Sequence, residues 1–308
     1  MLNNMKSVHI LMATYQGERY IENQILSLIG QTYTNWTLFI HDDGSVDNTM
    51  QIVRRYAAIE KRIVIIDDGI KLGQAAANFL HMLPYATADL ILFCDQDDIW
   101  FESKIQCLVE AFDGVSTPQA AFCNGYAYSA ERGIISDNIT KTSPKSLNEQ
   151  LFLNAGIQGC SMMFNKQLLD KLHQMPAEVA MHDHLITLLA ISFGKLVYVN
   201  KSLMLYRQSH VGKATEDIQT DRYKRLKSIF ISDIPVIDQK HFNATKAFYE
   251  SFGEQLSEAQ HNLFKGYFSY ASSKSLVSRL SIVLKYQFKL YNSVFLLVLK
   301  TITRKPIK

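Results

Sequence analysis

Neither GxGxxG nor GxxxxGK occurs in the 308 residues, which disfavours a Rossmann dinucleotide site and a P-loop. The four cysteines, Cys94, Cys107, Cys123 and Cys160, lack CxxC pairing and a histidine partner at zinc-like spacing. They read as buried free thiols of a reducing compartment. Internal repeats and low-complexity linkers are absent. The first seven residues are polar and run straight into a strand, so no signal peptide is expected and a cytoplasmic location follows. With 47% hydrophobic and 20% charged residues, the composition excludes disorder, collagen and a disulfide scaffold. It supports one large core with a smaller appendage.

Charge of one sign is missing from the end of the chain. From Lys274 onward there are eight basic residues and no acidic one, although the whole carries only +3. The preceding part, with 24 basic against 29 acidic residues, is therefore net −5. A nucleic-acid binder would carry its positive charge on the folded domain, so no nucleic-acid partner is expected.

What is present is a strand–helix rhythm. Short apolar runs at 8–12, 37–40, 63–66 and 90–94 read as strands. Segments with helical periodicity follow each, at about 18–29, 47–58, 74–83 and 103–112. This alternation predicts an α/β fold with a mainly parallel, doubly wound sheet flanked by helices. Further on, strands are expected at 120–128, 159–164, 196–199 and 203–206, and a helix at 184–192.

In open α/β sheets ligands bind beyond the carboxyl ends of strands. Polar clusters stand at those ends: Ala13-Thr14-Tyr15, Asp42-Asp43-Gly44-Ser45, Asp67-Asp68-Gly69 and Asp95-Gln96-Asp97-Asp98. Three crowded carboxylates at a strand terminus repel one another, and a hard divalent cation relieves the repulsion. Magnesium or manganese would leave coordination positions open for diphosphate oxygens. The alternative is an acid-favouring helix start before Ile99-Trp100. Asp42-Asp43-Gly44-Ser45 fits either a turn with a helix cap or a carboxylate that accepts a pyrimidine imide N–H. Tyr15 could supply a stacking face for the same base.

Three segments taken together resemble the family 2 inverting glycosyltransferases. They are Ala13-Thr14-Tyr15-Gln16-Gly17-Glu18 with Tyr20-Ile21, His41-Asp42-Asp43-Gly44-Ser45-Val46-Asp47-Asn48-Thr49, and Asp95-Gln96-Asp97-Asp98-Ile99-Trp100. With Met181-His182-Asp183-His184 and Tyr206-Arg207-Gln208, the pattern is most similar to the bacterial rhamnosyltransferase-like subgroup. The resemblance implies a GT-A fold over residues 1–215, with a donor half to about 118 and an acceptor half over about 119–215. A helical region, 216–308, would follow.

The resemblance also implies roles. Thr14, Tyr15, Glu18, Asp43, Asp95 and Gln96 match the donor side, Asp97 the principal metal-binding aspartate. Lys71 and Asn78 fall in the segment that closes over the base, where the family commonly has Asn and Arg. Asp183 matches the catalytic base that takes the acceptor proton, though a carboxylate there also suits a helix cap. His210 matches a residue that reaches the diphosphate or metal, in a motif that departs from the subgroup's Tyr-Arg-Gln-His-Gly. The segment from Gly156 to Met163 resembles the acceptor lining, with Met162 and Met163 read as core.

The implied reaction moves a sugar from a nucleotide-sugar donor, dTDP-rhamnose or a UDP-hexose, to a saccharide or lipid-linked acceptor. The cofactor would be Mg2+ or Mn2+. A nucleotidyltransferase is the enzymatic alternative, and a non-catalytic nucleotide-binding tether the other. As one helix, residues 275–300 would put Leu276, Val277, Leu280, Val283, Leu284, Tyr291, Val294, Phe295 and Val298 on one face. Lys285, Lys289 and Lys300 would lie opposite. The most apolar stretch, residues 294–299, is too short to cross a bilayer. The face suits peripheral contact with the inner leaflet of the cell membrane, or packing on the domain or a second subunit in a homo-oligomer.

Overall fold

The computed structural model describes residues 5–140, 143–208 and 234–307. The expected parallel strands form as β1 (Val8–Thr14), β2 (Trp36–Asp42), β3 (Ile63–Ile66) and β4 (Leu90–Asp95). β1, β2 and β4 are dominated by buried apolar residues and end at the rim in a polar one. The helices between them are α1 (Ile21–Ile29), α2 (Thr49–Ile59) and α3 (Ala75–Met82). Then come β5 (Ile99–Trp100), α4 (Lys104–Val109), β6 (Gln119–Ser129) and β7 (Gly133–Ser136).

After these follow α5 (Leu147–Gln150), β8 (Met162–Asn165), α6 (Lys166–Leu169), α7 (His182–Phe193) and β9 (Lys195–Arg207). Strand order is β3-β2-β1-β4-β8-β6-β9-β5, with β7 paired to β6. The first four strands are mutually parallel, whereas β8 is antiparallel to both its neighbours, β4 and β6. The fold is thus the expected α/β sheet flanked by helices, parallel through β1–β4 and mixed beyond them.

Alternation along β1 explains the layering. Val8, Ile10 and Met12 pack with Ile21, Ile25 and Leu28 of α1, Val53 of α2, and Ile105 and Leu108 of α4. The opposite face carries Phe79 of α3 against Phe93 (centroids 5.2 Å apart), and Phe93 against Phe164 (5.3 Å). The two strands expected at 196–199 and 203–206 are one, because β9 continues through a register shift opposite Asn124.

The chain divides into two compact units. Unit 1 comprises 1–141, 158–170 and 195–218, and unit 2 comprises 142–157, 171–194 and 219–308. Unit 2 holds α5 and α7 together with α8 (Gln239–Phe252), α9 (Glu258–Ser272), α10 (Leu276–Lys285) and α11 (Val294–Thr303). Phe152 anchors its core, touching Tyr267, Tyr270 and Phe288 at 4.8–5.5 Å between centroids.

The single helix expected over 275–300 is instead two. Gln287, Tyr291 and Asn292 adopt left-handed backbone (φ 50°, 51° and 63°), and Ser293 caps α11 by accepting from Leu296 N. Two of the three expected surface lysines are engaged within the unit. Lys289 Nζ lies 3.5 Å from Glu149, while Lys300 donates to the Val236 carbonyl at 3.3 Å. Burial holds the Lys300 amine down at about 8. Leu276, Val277, Leu284, Tyr291 and Phe295 are exposed, but Val283 is buried. All four cysteines are free and buried, as expected.

Candidate active site

The loops after β1, β2 and β4 meet because their strands are neighbours in register, with Thr14 opposite Asp42 and Ala13 opposite Asp95. Thr14 is buried and donates through its hydroxyl to Asp42 Oδ1 at 2.9 Å. The Asp42 carboxylate also accepts from Ser45 Oγ (2.6 Å), Ser45 N (2.7 Å) and Gly44 N (3.1 Å). Asp43 N donates to the Thr14 carbonyl at 2.8 Å, and its Oδ1 accepts from Leu72 N. That bond draws the segment after β3 toward the loop after β2, and Lys71 lies across Gly44.

Several residues expected to touch the donor are engaged with the protein. The Gln96 amide grips the Tyr15 backbone twice, accepting from Tyr15 N at 3.0 Å and donating to Tyr15 O at 2.8 Å. Gly17 makes room for it, since a Cβ there would stand 2.1 Å from Gln96 Oε1. Glu18 accepts from Asn48 N and Nδ2, both at 2.9 Å, at the start of α2. Asn78 is buried with its amide on His41, Oδ1 at 2.7 Å from Nδ1 and Nδ2 at 3.4 Å from the carbonyl. The Tyr15 ring, by contrast, is exposed.

The loop after β4 is different. Asp95, Asp98 and Cys160 each offer a ligand atom, all within 4.8 Å of one another. Asp98 is 1% exposed; Oδ1 accepts from Arg207 N at 3.0 Å, while Oδ2 makes no conventional hydrogen bond. The Cys160 thiol, a weak donor, faces that carboxylate. Burial first, then the charges of Asp97 and Asp95, push the Asp98 carboxyl well above the usual range. A buried oxygen lacking a strong donor, beside a half-buried carboxylate, suits a hard divalent cation. Asp97 is half-buried on the same loop, and its carbonyl accepts from Arg207 Nε at 2.7 Å.

Two residues beneath this loop escaped the sequence reading. Lys104 is fully buried, donating to the Cys160 carbonyl at 2.6 Å with its ammonium 3.5 Å from the Trp100 ring centroid. It counters the acidic cluster from below. Its signal was a lysine on the inward face of a helix beside Ile105 and Leu108. Arg207 belongs to the Tyr206-Arg207-Gln208 motif, which by itself assigns it no role. Its guanidinium sits 4.5 Å from the Tyr20 ring centroid while its backbone and side chain hold both ends of Asp97-Asp98.

The sequence model of the family Glycosyl transferase family 2 matches residues 9–172, more than half of the chain and all of these loops. The chain belongs to this family. A curated relative, dTDP-rhamnosyl transferase RfbG of Shigella flexneri, is 28% identical over 234 residues, covering 70% of this chain and 78% of the relative. UDP-Glc:alpha-D-GlcNAc-diphosphoundecaprenol beta-1,3-glucosyltransferase WfgD of Escherichia coli is 37% identical over 99 residues. That match spans 32% of this chain and 38% of WfgD, well under two thirds of its length. Among solved structures, mannosyltransferase PcManGT of Pyrobaculum calidifontis, in complex with GDP-Man and Mn2+, has the same fold. The TM-score is 0.54 at 15% identity, covering 97% of this chain and 87% of the other.

In this family 2 member the remaining expected site residue, Asp183, belongs to unit 2. It sits in the first turn of α7, one residue inside the helix start, and the cap position is Met181. The carboxylate is therefore not the helix cap that the sequence allowed. Gly156 packs against this turn so closely that a Cβ would stand 2.6 Å from the Asp183 carbonyl and His184 N. His182 and His184, on either side, are buried, and burial holds both imidazoles down at about 3. Met162 and Met163 are core, as expected. His210 lies outside the described residues.

Proposed function

We propose that the chain is an inverting, divalent-cation-dependent glycosyltransferase of polysaccharide biosynthesis. It passes a sugar from a nucleoside-diphosphate donor to a hydroxyl of a saccharide or lipid-linked acceptor. The observation that carries this reading is the carboxylate cluster after β4, with a buried Asp98 oxygen short of donors beside Asp95. Asp97 and Asp95 would hold Mg2+ or Mn2+, with His210 a further ligand on the strength of its motif. The cation would neutralise charge on the departing diphosphate. A manganese complex of a protein with the same fold is consistent with this.

In this reading the donor half, to about residue 118, binds the nucleoside through Asp43, the exposed Tyr15 ring and Lys71, on a frame braced by Thr14, Glu18, Gln96 and Asn78. The acceptor half extends to about 215. Asp183 removes the acceptor hydroxyl proton as that oxygen attacks the anomeric carbon, opposite the leaving diphosphate. The name of the Shigella relative favours dTDP-rhamnose as donor, and that of the Escherichia coli relative keeps a UDP-hexose and a diphosphate-lipid acceptor in view.

No described helix is long and apolar enough to cross a membrane. The exposed Val277, Leu284 and Phe295 on α10 and α11, near Lys274 and Lys285, suit peripheral contact with an anionic inner leaflet. A second copy packing there is the other use of that face.

The test is a donor screen with manganese present, scoring nucleoside diphosphate release, followed by Asp183→Asn. The amide keeps the shape but cannot take the proton. Turnover should fall by about a hundredfold to ten-thousandfold, with nucleotide affinity near wild type. Lost nucleotide affinity with normal turnover at saturating donor would remove Asp183 from the base role.

A further inference from the structure

A second cluster of ligand-bearing side chains lies at the carboxyl ends of β2 and β3 and has no part in the reading above. His41 comes from β2, Asp68 from the loop after β3, and His81 from the last turn of α3. Their ligand atoms all lie within 4.8 Å of one another. His41 Nε2 is 3.2 Å from Asp68 Oδ1, and His81 Nε2 is 2.7 Å from Asp68 Oδ2. The imidazoles meet edge to face with centroids 4.9 Å apart. The His41 side chain is 1% exposed, while those of His81 and Asp68 are 24% and 23% exposed, so the cluster is reached from solvent on one side.

Counting protons shows what the cluster lacks. Asn78 Nδ2 faces the His41 carbonyl at 3.4 Å, which fixes the amide and leaves Oδ1 against His41 Nδ1 at 2.7 Å. An amide oxygen accepts only, so Nδ1 carries the hydrogen. A neutral ring then points the bare Nε2 lone pair at a carboxylate oxygen that also only accepts. Two acceptors at 3.2 Å need a positive centre between them, either a second proton or a metal ion. An imidazole whose outer N–H is held by a carbonyl-type oxygen is also the usual arrangement of a metal-bound histidine.

We propose that His41, Asp68 and His81 form a zinc-binding site. Two imidazole nitrogens and one carboxylate suit zinc better than the hard cations favoured by an all-oxygen loop, and they leave a fourth position for water. Tetrahedral ligands at about 2.0–2.1 Å from zinc stand roughly 3.3 Å apart. The histidine-to-carboxylate separations, 3.2 Å to Oδ1 and 2.7 Å to Oδ2, bracket that spacing, and the ligand atoms, all within 4.8 Å of one another, would gather onto one ion by rotation of the partly exposed His81 and Asp68 side chains. The site would fasten the loop after β3, because Asp68 Oδ1 also accepts from Ile70 N at 3.0 Å and the next residues reach Asp43 through Leu72 N.

The experiment uses the full chain without an affinity tag, stripped with chelator and titrated calorimetrically with zinc chloride in excess magnesium. Wild type should take up one zinc per chain. His81→Ala and, separately, Asp68→Asn should weaken binding by a hundredfold or more, while Cys160→Ser should leave it unchanged. Cobalt-loaded wild type should show tetrahedral visible absorption that His81→Ala lacks. The proposal is overturned if wild type retains no zinc, if both variants bind it as tightly, or if Cys160→Ser abolishes uptake. None of these readouts depends on sugar transfer, so their failure leaves the proposed activity standing.

Discussion

The loop after β2 and the loop after β4 each carry consecutive aspartates at the end of a buried parallel strand, yet their oxygens meet different surroundings. Around Asp42 four donors converge, two hydroxyls and two backbone N–H groups, and Asp43 takes a fifth from Leu72. These carboxylates are spent on shaping the chain. Around Asp98 one oxygen is met by Arg207 N, the other by no strong donor, and like charges press from Asp95 and Asp97. One residue type thus builds a loop in the first place and gathers unbalanced charge in the second. Hydrogen-bond saturation, rather than acidity, separates architecture from the proposed cation site.

The widest split should come from Asp97→Asn. A cation contributes several kcal/mol of charge stabilisation in such reactions, so transfer should fall by about a hundredfold or more with an unchanged melting temperature. Normal rates in this variant and in chelator-treated wild type would end the metal-dependent reading.

Next in size is Lys104→Met, which removes the buried cation under the acidic loop. Leaving a buried charge without its counterpart should cost about 3 kcal/mol in denaturant unfolding. Adding Asp98→Asn should recover most of it. A single variant as stable as wild type would mean that Lys104 does not balance the cluster.

Asp42→Ala should do the reverse of Asp97→Asn. Four part-buried hydrogen bonds are lost, and leaving their donors unmatched should cost about 2 kcal/mol, while the folded fraction keeps its response to manganese. Loss of that response without loss of stability would erase the contrast between the loops.

The smallest effect concerns acid. The folded pKa of His182 and His184 is lowered to about 3 from 6.5. Between these values the unfolded chain takes up protons that the folded unit refuses. Their stabilising contribution is full above about pH 6.5 and falls as the pH drops toward 3, on the order of 1 kcal/mol per histidine per pH unit. Urea midpoints at pH 7 and pH 6 should show the slope, about 1 kcal/mol for the pair over that step, and His184→Gln should reduce it. An unchanged slope would place the acid sensitivity elsewhere.

Much of this was legible because the parallel half is written in local terms. A strand such as Leu90–Asp95 is an apolar run closed by an acid, and the rim loops follow from topology once four such strands are counted. Partners were not legible. Glu18, Gln96 and Asn78 are polar residues in the right loops, but whether they face a ligand or the chain depends on backbone and side-chain groups 30, 81 and 37 positions away. Lys104 hid among apolar neighbours because its partners, Cys160 and Met204, lie 56 and 100 positions further along the sequence. The C-terminal helix reads as continuous because Lys289 and Tyr291 keep the helical periodicity, while the break rests on Asn148 accepting from Lys289 N and on left-handed residues that no pattern of hydrophobicity records.

The lacing between the loops after β1 and β2 has a kinetic consequence. Gln16 N bonds Ser45, Gln16 Oε1 takes Val46 N, Gly17 N bonds Thr49, and Glu18 ties Asn48 to itself. Neither segment can swing out while the other stays in place. Their amides should therefore exchange with deuterium as one cooperative foldon, sharing a single opening free energy across stretches that are about thirty residues apart in the chain.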